Sequence, residues 1–306
     1  MADKIKKITV IGSSNTDMVV MTSHFPAPGE TILGGEFLMN AGGKGANQAV
    51  AAARSGGQVS FVGKVGKDIF GENAIENIKK EGIDVSGITT DPEAASGVAQ
   101  IIVDKKGENS IVVAPGANLK LSRADIDHAD NQISQADILL MQLEIPVDTI
   151  VYAAKEAHSL GKKVILNPAP ATELPDDLFE YLYMITPNES ETELHTGIKV
   201  TDQSSAARAA KALKKRGVEN IIITMGSQGA FVFTDELEKI VPAFEVKAVD
   251  TTAAGDCFNG ALAVGLGRGM DMIESVRYAN RAASIAVTRA GAQVTMPYRE
   301  EVEAGL

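Results

Sequence analysis

The sequence predicts an α/β protein in which a mostly parallel sheet carries helices on both faces and a small β layer stands beside it. Three observations support this. Strand-length apolar runs alternate with Ala-rich helical runs through much of the chain, the pattern of β-α-β succession. Two stretches, 17–41 and 97–114, break that rhythm and flank no helix. A turn of small residues and carboxylates, Asp250-Thr251-Thr252-Ala253-Ala254-Gly255-Asp256, joins a strand-like run to a helical one. In such sheets ligands sit at the carboxyl ends of strands.

The elements follow in order. Ile8 to Gly12 reads as a first strand. Residues 17–41 read as short strands around a Pro26-Ala27-Pro28-Gly29 turn. Gln48 to Arg54 is a helical run opened by glycines. Val98 to Asp104 and Ser110 to Ala114 form a hairpin across Lys105-Lys106-Gly107. Asp137 to Met141, Val164 to Leu166 and Ile221 to Thr224 are buried-strand candidates, and helical runs at Thr149 to Gly161 and Ser204 to Gly217 precede the last two. Phe244 to Val249 reads as a strand and Phe258 to Gly265 as a small-residue helix. No repeat or low-complexity linker interrupts the chain, so the expectation is one continuous domain over 1–306. The stretches at about 17–41 and 97–114 are either a cover for a ligand or plain edge hairpins.

Composition narrows the function. The 306 residues are 44% hydrophobic and 23% charged, ordinary for a globular enzyme. A net charge of −11 argues against nucleic acid, which needs a basic face. Anionic ligands must then be held by local N–H groups, metal ions or a few cations. The single cysteine, Cys257, excludes an intrachain disulfide and fits a reducing cytoplasm. No apolar run reaches membrane-spanning length, and the run after Met1 to Lys7 is too short for a secretory core. His24, His128, His158 and His195 lack metal-ligand spacing, and Cys257 lacks a histidine partner, so all five read as structural.

Five segments carry chemistry. In Asp250 to Asp256, free amides at the start of a helix make an anion site beside a carboxylate, a combination suited to moving a phosphoryl group onto a hydroxyl. Small Ala253, Ala254 and Gly255 keep that site open. Gly42-Gly43-Lys44-Gly45-Ala46-Asn47 places a lysine where a helix N-terminus is already positive, which makes Lys44 hard to dismiss as a surface residue. It does not fit the Walker A pattern. In Gly12-Ser13-Ser14-Asn15-Thr16-Asp17, Asn15 and Asp17 can chelate vicinal hydroxyls, or simply form an Asx turn. In Pro187-Asn188-Glu189-Ser190-Glu191, Asn188 and Glu191 form a capping box, a reading compatible with a phosphate and a Mg²⁺-bound water nearby. Thr224-Met225-Gly226-Ser227-Gln228-Gly229 suits a nucleotide-contacting turn and equally an ordinary one.

Together these segments resemble the ribokinase branch of the PfkB carbohydrate kinase family, from about Ile8 to Pro297. The most specific are Gly42 to Ala49 and Asp250 to Asp256, and Asn167-Pro168-Ala169-Pro170 adds to them. The resemblance implies a ribokinase-like three-layer α/β/α sandwich with a small β-sheet lid that also pairs two subunits into a homodimer. It implies ATP-dependent phosphorylation of D-ribose at O5. Asp256 would be the base, kept ionised by its helix start, and the N–H groups of Ala253, Ala254, Gly255 and Asp256 would hold the phosphate charge. Ser13, Ser14, Asn15, Asp17, Gly42, Gly43, Lys44, Gly45, Asn47 and Glu144 would meet the sugar. Asn188, Thr224, Met225, Gly226, Ser227, Gln228, Gly229, Gly255 and Asn280 would meet ATP. Asp250, Thr252, Ala286, Arg289, Gly291 and Thr295 would surround K⁺, mostly through carbonyls, and Glu191 would hold Mg²⁺ through water. Cys257 and Met225 depart from the family's usual threonine and basic residue, which puts oxidation sensitivity and nucleotide affinity in question.

The rival readings are a deoxyribose, fructose or adenosine kinase of the same family, and a non-catalytic sugar sensor on the same scaffold. An aromatic content of 5% with no Trp weighs against stacking a second nucleobase. A dinucleotide-dependent oxidoreductase would need a G-x-G-x-x-G turn after the first strand, which Gly12-Ser13-Ser14-Asn15 does not supply.

Overall fold

A computed structural model describes residues 6–33 and 35–306. The opening residues 1–5 and Gly34, inside the 17–41 stretch, lie outside the described residues. Thirteen strands occur among those described. They are β1 (Lys7–Ile11), β2 (Asn15–Met21), β3 (Phe37–Gly42), β4 (Gln58–Gly66), β5 (Asp84–Asp91), β6 (Gly97–Val103) and β7 (Asn109–Ala114). The chain continues with β8 (Ile138–Met141), β9 (Lys163–Leu166), β10 (Met184–Ile185), β11 (Asn220–Thr224), β12 (Ala230–Phe233) and β13 (Glu238–Val241).

Nine strands form the main sheet in the order β13-β12-β11-β10-β9-β8-β1-β4-β5. From β11 to β5 every pairing is parallel, and only the two pairings of β12, with β11 and with β13, are antiparallel. The predicted three-layer α/β sheet is therefore present, with two antiparallel pairings closing one edge. Apolar residues of the central strands alternate between two cores. Ile138 and Leu140 of β8 face a core with the helices Lys44–Arg54, Ala254–Gly267 and Met272–Ala286. Leu139 and Met141 face the opposite core with Val147–Ser159 and Gln203–Lys215. A strand buried on both faces needs an unbroken apolar run, which is why Ile-Leu-Leu-Met reads as it does.

The two rhythm-breaking stretches form a second sheet of order β3-β2-β6-β7. Its central pairing, β2 with β6, is parallel and joins segments some eighty residues apart. β2 begins only four positions after β1 ends, so the chain leaves the main sheet through Gly12-Ser13-Ser14 and enters the small sheet at once. One expected strand is missing. Phe244 to Val249 lies outside both sheets, and the main sheet ends instead at Glu238–Val241. Its apolar alternation has no neighbouring strand to pair with, and Pro242 cannot donate to a ladder.

Two helix starts meet at the carboxyl end of the sheet. The Lys44–Arg54 helix approaches β1 closely because Gly45 has no side chain: a Cβ there would stand 2.5 Å from the Ser13 nitrogen. The same helix approaches Ala254–Gly267 through Gly260, where a Cβ would fall 2.6 Å from the Gln48 carbonyl oxygen and from the Ala51 Cβ. Helix interiors tolerate glycine poorly unless such a contact demands it. Gly260→Ala should therefore wedge the two helices apart and destabilise the protein by ~1–3 kcal/mol, read as a lower melting temperature, despite alanine's better helix propensity. An unchanged or higher melting temperature would show that the contact is not tight.

Candidate active site

The Ala254–Gly267 helix opens on Ala253, the one non-glycine residue with positive φ (58°) among those described. This left-handed residue costs an alanine roughly 1–2 kcal/mol. It turns the chain so that the first turn of the helix faces a cavity of about 230 Å³. The Ala254 N–H bonds to the Thr251 carbonyl at 3.2 Å, and the Cys257 N–H to that of Ala253 at 2.9 Å. The amides of Gly255 and Asp256 find no protein acceptor among the described residues. Ala253 likewise has none, so of the four amides over 253–256 only that of Ala254 is spent within the protein.

Asp256 is buried against the first turns of the facing helix. Its Oδ2 accepts from Asn47 Nδ2 and its Oδ1 from Gln48 Nε2, both at 2.9 Å. Burial pushes its carboxyl above the ordinary value, the Glu144 charge adds to this, and Lys44, Asn47 and Gln48 pull against it. The other Asn47 atom, Oδ1, is buried without a partner. A buried acceptor left open is costly and marks the place of an incoming donor.

The glycine-rich segment resolves the lysine puzzle. Lys44 is the first residue of its helix, after Gly43 at φ 88°. Glu144, reached directly from β8, accepts the Lys44 N–H at 2.9 Å and the Ser13 hydroxyl at 2.5 Å, both on Oε2. The helix dipole is thus satisfied by an internal carboxylate. Lys44 lines the cavity with Asp256 and Glu191. Asp17 lies against Gly42, where any side chain would collide with its carboxylate. Burial and the charges of Glu144 and Asp256 raise its carboxyl to about 6. Asn15 is fixed from behind, its Oδ1 accepting from Asn118 Nδ2 at 2.8 Å. Ser14 is held likewise, its N–H and carbonyl both bonded to Asn118. Ser13 thus spends its hydroxyl on the scaffold, and Ser14 its N–H and carbonyl.

On the other side of the cavity, Asn188 and Glu191 form the anticipated capping box: Asn188 Oδ1 accepts the Glu191 N–H and Glu191 Oε2 the Asn188 N–H, each at 2.9 Å. Burial raises the Glu191 carboxyl against the pull of the Asn188 N–H and Lys44. Thr224 lines the same cavity, and its N–H bonds the Pro187 carbonyl at 2.9 Å. The turn beyond it exposes Gly226, Ser227 and Gln228. The Met225 side chain points away, into the core, so only its backbone is available to a ligand. Gly229, at φ 102°, presses on residues 241–243. Asn280 Nδ2 donates to the Val241 and Pro242 carbonyls at 3.0 and 3.1 Å, which ties this side chain to that wall. Cys257 is buried and its thiol is pushed up by burial, so it is inert to oxidation.

The six positions expected around K⁺ form one loop cluster. Asp250 accepts the Thr252 and Gly291 N–H groups, each at 2.9 Å. Although burial pushes the other way, these bonds hold its carboxyl below the ordinary value. Ala286 accepts the Arg289 N–H, Arg289 Nη1 reaches the Thr295 carbonyl, and Arg289 also pairs with Glu301. One carboxylate among backbone oxygens is a donor set for a hard monovalent cation. Among the described residues no three His, Cys, Asp or Glu gather to hold a metal.

Residues 5–299 match the model of the pfkB family carbohydrate kinases. The chain belongs to that family. It is 45% identical to a ribokinase of Haemophilus influenzae over 97% of both chains. It is 39% identical to a deoxyribokinase of Salmonella typhi over 96% of both. A structure of Arabidopsis thaliana ribokinase complexed with ribose and ATP superposes with a TM-score of 0.90 at 31% identity, covering 98% of each chain. A carbohydrate kinase of this family thus accounts for the meeting of an anion-binding helix start with a polyol-sized set of amides and carboxylates.

Several residues at the site escaped sequence reading: Gln48, Asn118, Gln142, Asn167, Thr186 and Asn259. All are buried polar residues, and only their place in the fold distinguishes them from ordinary surface amides. Gln48, Asn167 and Asn259 stood in noted segments without being singled out.

A raised Asp17 carboxyl has a stability consequence. The folded state binds a proton between about 6 and the ordinary value of 3.8, where the unfolded chain does not. Asp17 therefore adds stability as pH falls from about 6 towards 4, and that contribution is lost as pH rises through 6. Ligand-free Asp17→Asn should show a flatter stability profile between pH 4 and 7, by denaturant unfolding, than the parent. Parallel profiles would remove Asp17 from the carboxylate cluster.

Proposed function

We propose that this carbohydrate kinase is a ribokinase, transferring the γ-phosphoryl group of ATP to O5 of D-ribose to give ribose 5-phosphate and ADP. The observation that carries this is Asp256: a buried carboxylate held by two amides, one residue from the free Gly255 amide and facing an open acceptor on Asn47. The ribokinase names of the relatives support the choice of sugar.

Asp256 accepts the O5 proton as O5 bonds to the γ-phosphorus and the bond from that phosphorus to the bridging oxygen breaks, releasing ADP. The amides of Gly255 and Asp256 receive the charge on the transferring group, with Lys44 beside them. Such a transition state asks mainly for alignment and charge stabilisation, so a strong base is not required. Asn47 Oδ1, Asp17, Asn15 and the second Glu144 oxygen bind sugar hydroxyls, with Gly42, Gly43 and Gly45 giving the backbone close approach. Thr224, Asn188 and the turn 225–229 receive the nucleotide, and Asn280 supports that turn from behind. Mg²⁺ bound with ATP would neutralise the phosphates, and Glu191 would hold its water. A K⁺ at the 250–252 and 286–295 loops would steady the turn at Ala253 through Asp250 and Thr252.

The small sheet acts as the lid of a single 1–306 domain, and its exposed apolar residues suit pairing with a second copy. Phe37, Leu38, Met39, Ile111, Val112 and Val113 are each 45% exposed or more. A lone, buried cysteine and the absence of any membrane-spanning helix among the described residues support a cytoplasmic enzyme.

A second reading, transfer to 2-deoxyribose, is favoured by the 39% identity to a deoxyribokinase. Ribose and 2-deoxyribose compared as acceptors, with ADP release coupled to a dye, separate the two; ribose should win in kcat/KM, and a preference for 2-deoxyribose would reverse the assignment. Asp256→Asn should cut turnover by ~10²–10⁴ with modest change in ribose affinity, and near-normal turnover would remove the base. Exchange of K⁺ for Na⁺ at constant ionic strength should lower activity. Equal rates in the two salts would dismiss the cation cluster.

A further inference from the structure

We propose that Gln48 is a positioning residue for phosphoryl transfer, its amide fixing the plane of the Asp256 carboxylate and tying it to a buried polar chain that ends at the anion-binding turn. The proposal rests on Asp256 being the base.

Gln48 is fully buried, and every polar atom of its side chain is engaged. Its Nε2 donates to Asp256 Oδ1 at 2.9 Å and to Asn167 Oδ1 at 3.0 Å. Its Oε1 accepts from Gln142 Nε2 at 2.6 Å. Only one orientation of the amide is tolerable: reversed, its oxygen would face a carboxylate and an amide oxygen, and its NH₂ would face another NH₂. The chain continues outward. Asn167 Nδ2 donates to the Thr186 carbonyl at 3.1 Å, Thr186 Oγ1 to Asn259 Oδ1 at 2.6 Å, and Asn259 Nδ2 to the Gly255 carbonyl at 2.8 Å. The peptide unit bearing the free Asp256 amide and the carboxylate of Asp256 are thus the two ends of one network. Its members come from three strand ends and two helices.

Packing alone does not call for this arrangement. A buried glutamine between two helices costs stability unless all its groups are satisfied, and an apolar side chain would fill the space more cheaply. Here the groups are satisfied by the functional carboxylate itself. Asn47 holds the other oxygen from the adjacent position of the same helix. Two donors at neighbouring positions leave the carboxylate no rotation about its Cβ–Cγ bond, and each oxygen keeps one lone pair for a substrate proton. Both donors also favour the ionised form against burial.

Gln48→Met keeps the side-chain length and removes both donated bonds. Turnover should fall ~10–100-fold, the scale for loss of one aligned hydrogen bond at a reacting centre, with KM for ribose changed less than ~3-fold. The acid limb of the kcat profile should move up by about half a pH unit or more, a readout that a merely structural residue would leave in place. Gln142→Met, one bond further out, should move both quantities in the same direction by less. It carries the test alone should a thermal melt show that Gln48→Met does not fold. Turnover within ~2-fold of the parent and an unmoved acid limb, in whichever of these variants folds, overturns the proposal. Asp256→Asn run in parallel separates the two claims. If it loses turnover while the glutamine variants keep theirs, only the Gln48 inference falls; if it keeps turnover, the base assignment falls.

Discussion

The site depends on one close contact, the crossing of the Lys44–Arg54 and Ala254–Gly267 helices at Gly260. Two helix starts converge there, and both present positive ends to the same space. Such a convergence is unfavourable unless negative groups answer it. One start is answered permanently by Glu144, which binds the Lys44 amide. The other keeps the Gly255 and Asp256 amides open for an external anion. Internal satisfaction of one helix and exposure of the other turns a packing motif into a binding site.

Charge is then distributed with an asymmetry that suits transfer between two ligands. Asp256 and Glu191 both feel the Lys44 ammonium, and Asp17 feels the charges of Glu144 and Asp256. Each of Asp17, Asp256 and Glu191 is pushed up by burial. Ionised carboxylates are good acceptors for sugar hydroxyls and poor neighbours for a triphosphate. The phosphates must therefore enter by way of the open amides and Lys44, and with their own cation. This matches the overall charge of −11, which leaves no broad basic surface to attract nucleotide.

The parts of this design that could be read from sequence are those written in local pattern. Ile138 to Met141 declares a doubly buried strand by being uniformly apolar. The hairpin at Lys105-Lys106-Gly107 declares itself by turn chemistry, and β6 and β7 flank it as expected. Asp256, Lys44 and Asn47 were legible because small residues beside polar ones mark close approach. Phe244 to Val249 misled because alternation says nothing about whether a partner strand exists. Position in a motif does not give side-chain direction: Asn280 turns its Nδ2 to the 241–242 carbonyls, and the Met225 side chain enters the core. The amide chain through Gln48 was invisible, since its members are scattered from 48 to 259 and only the sheet brings them together.

The same connectivity ties the small sheet to the proposed sugar site. β2 starts at Asn15, pairs with Gly42 on one side and with Gly97 on the other, and then runs outward as the centre of the small sheet. A side chain at Gly97 would strike Asn15 and Asn118, and one at Gly42 would strike Asp17. Asn15 and Asp17, the residues proposed to meet the sugar, are therefore the first rungs of the ladder that holds the small sheet together, and the glycines at 42 and 97 are what that ladder needs beside them.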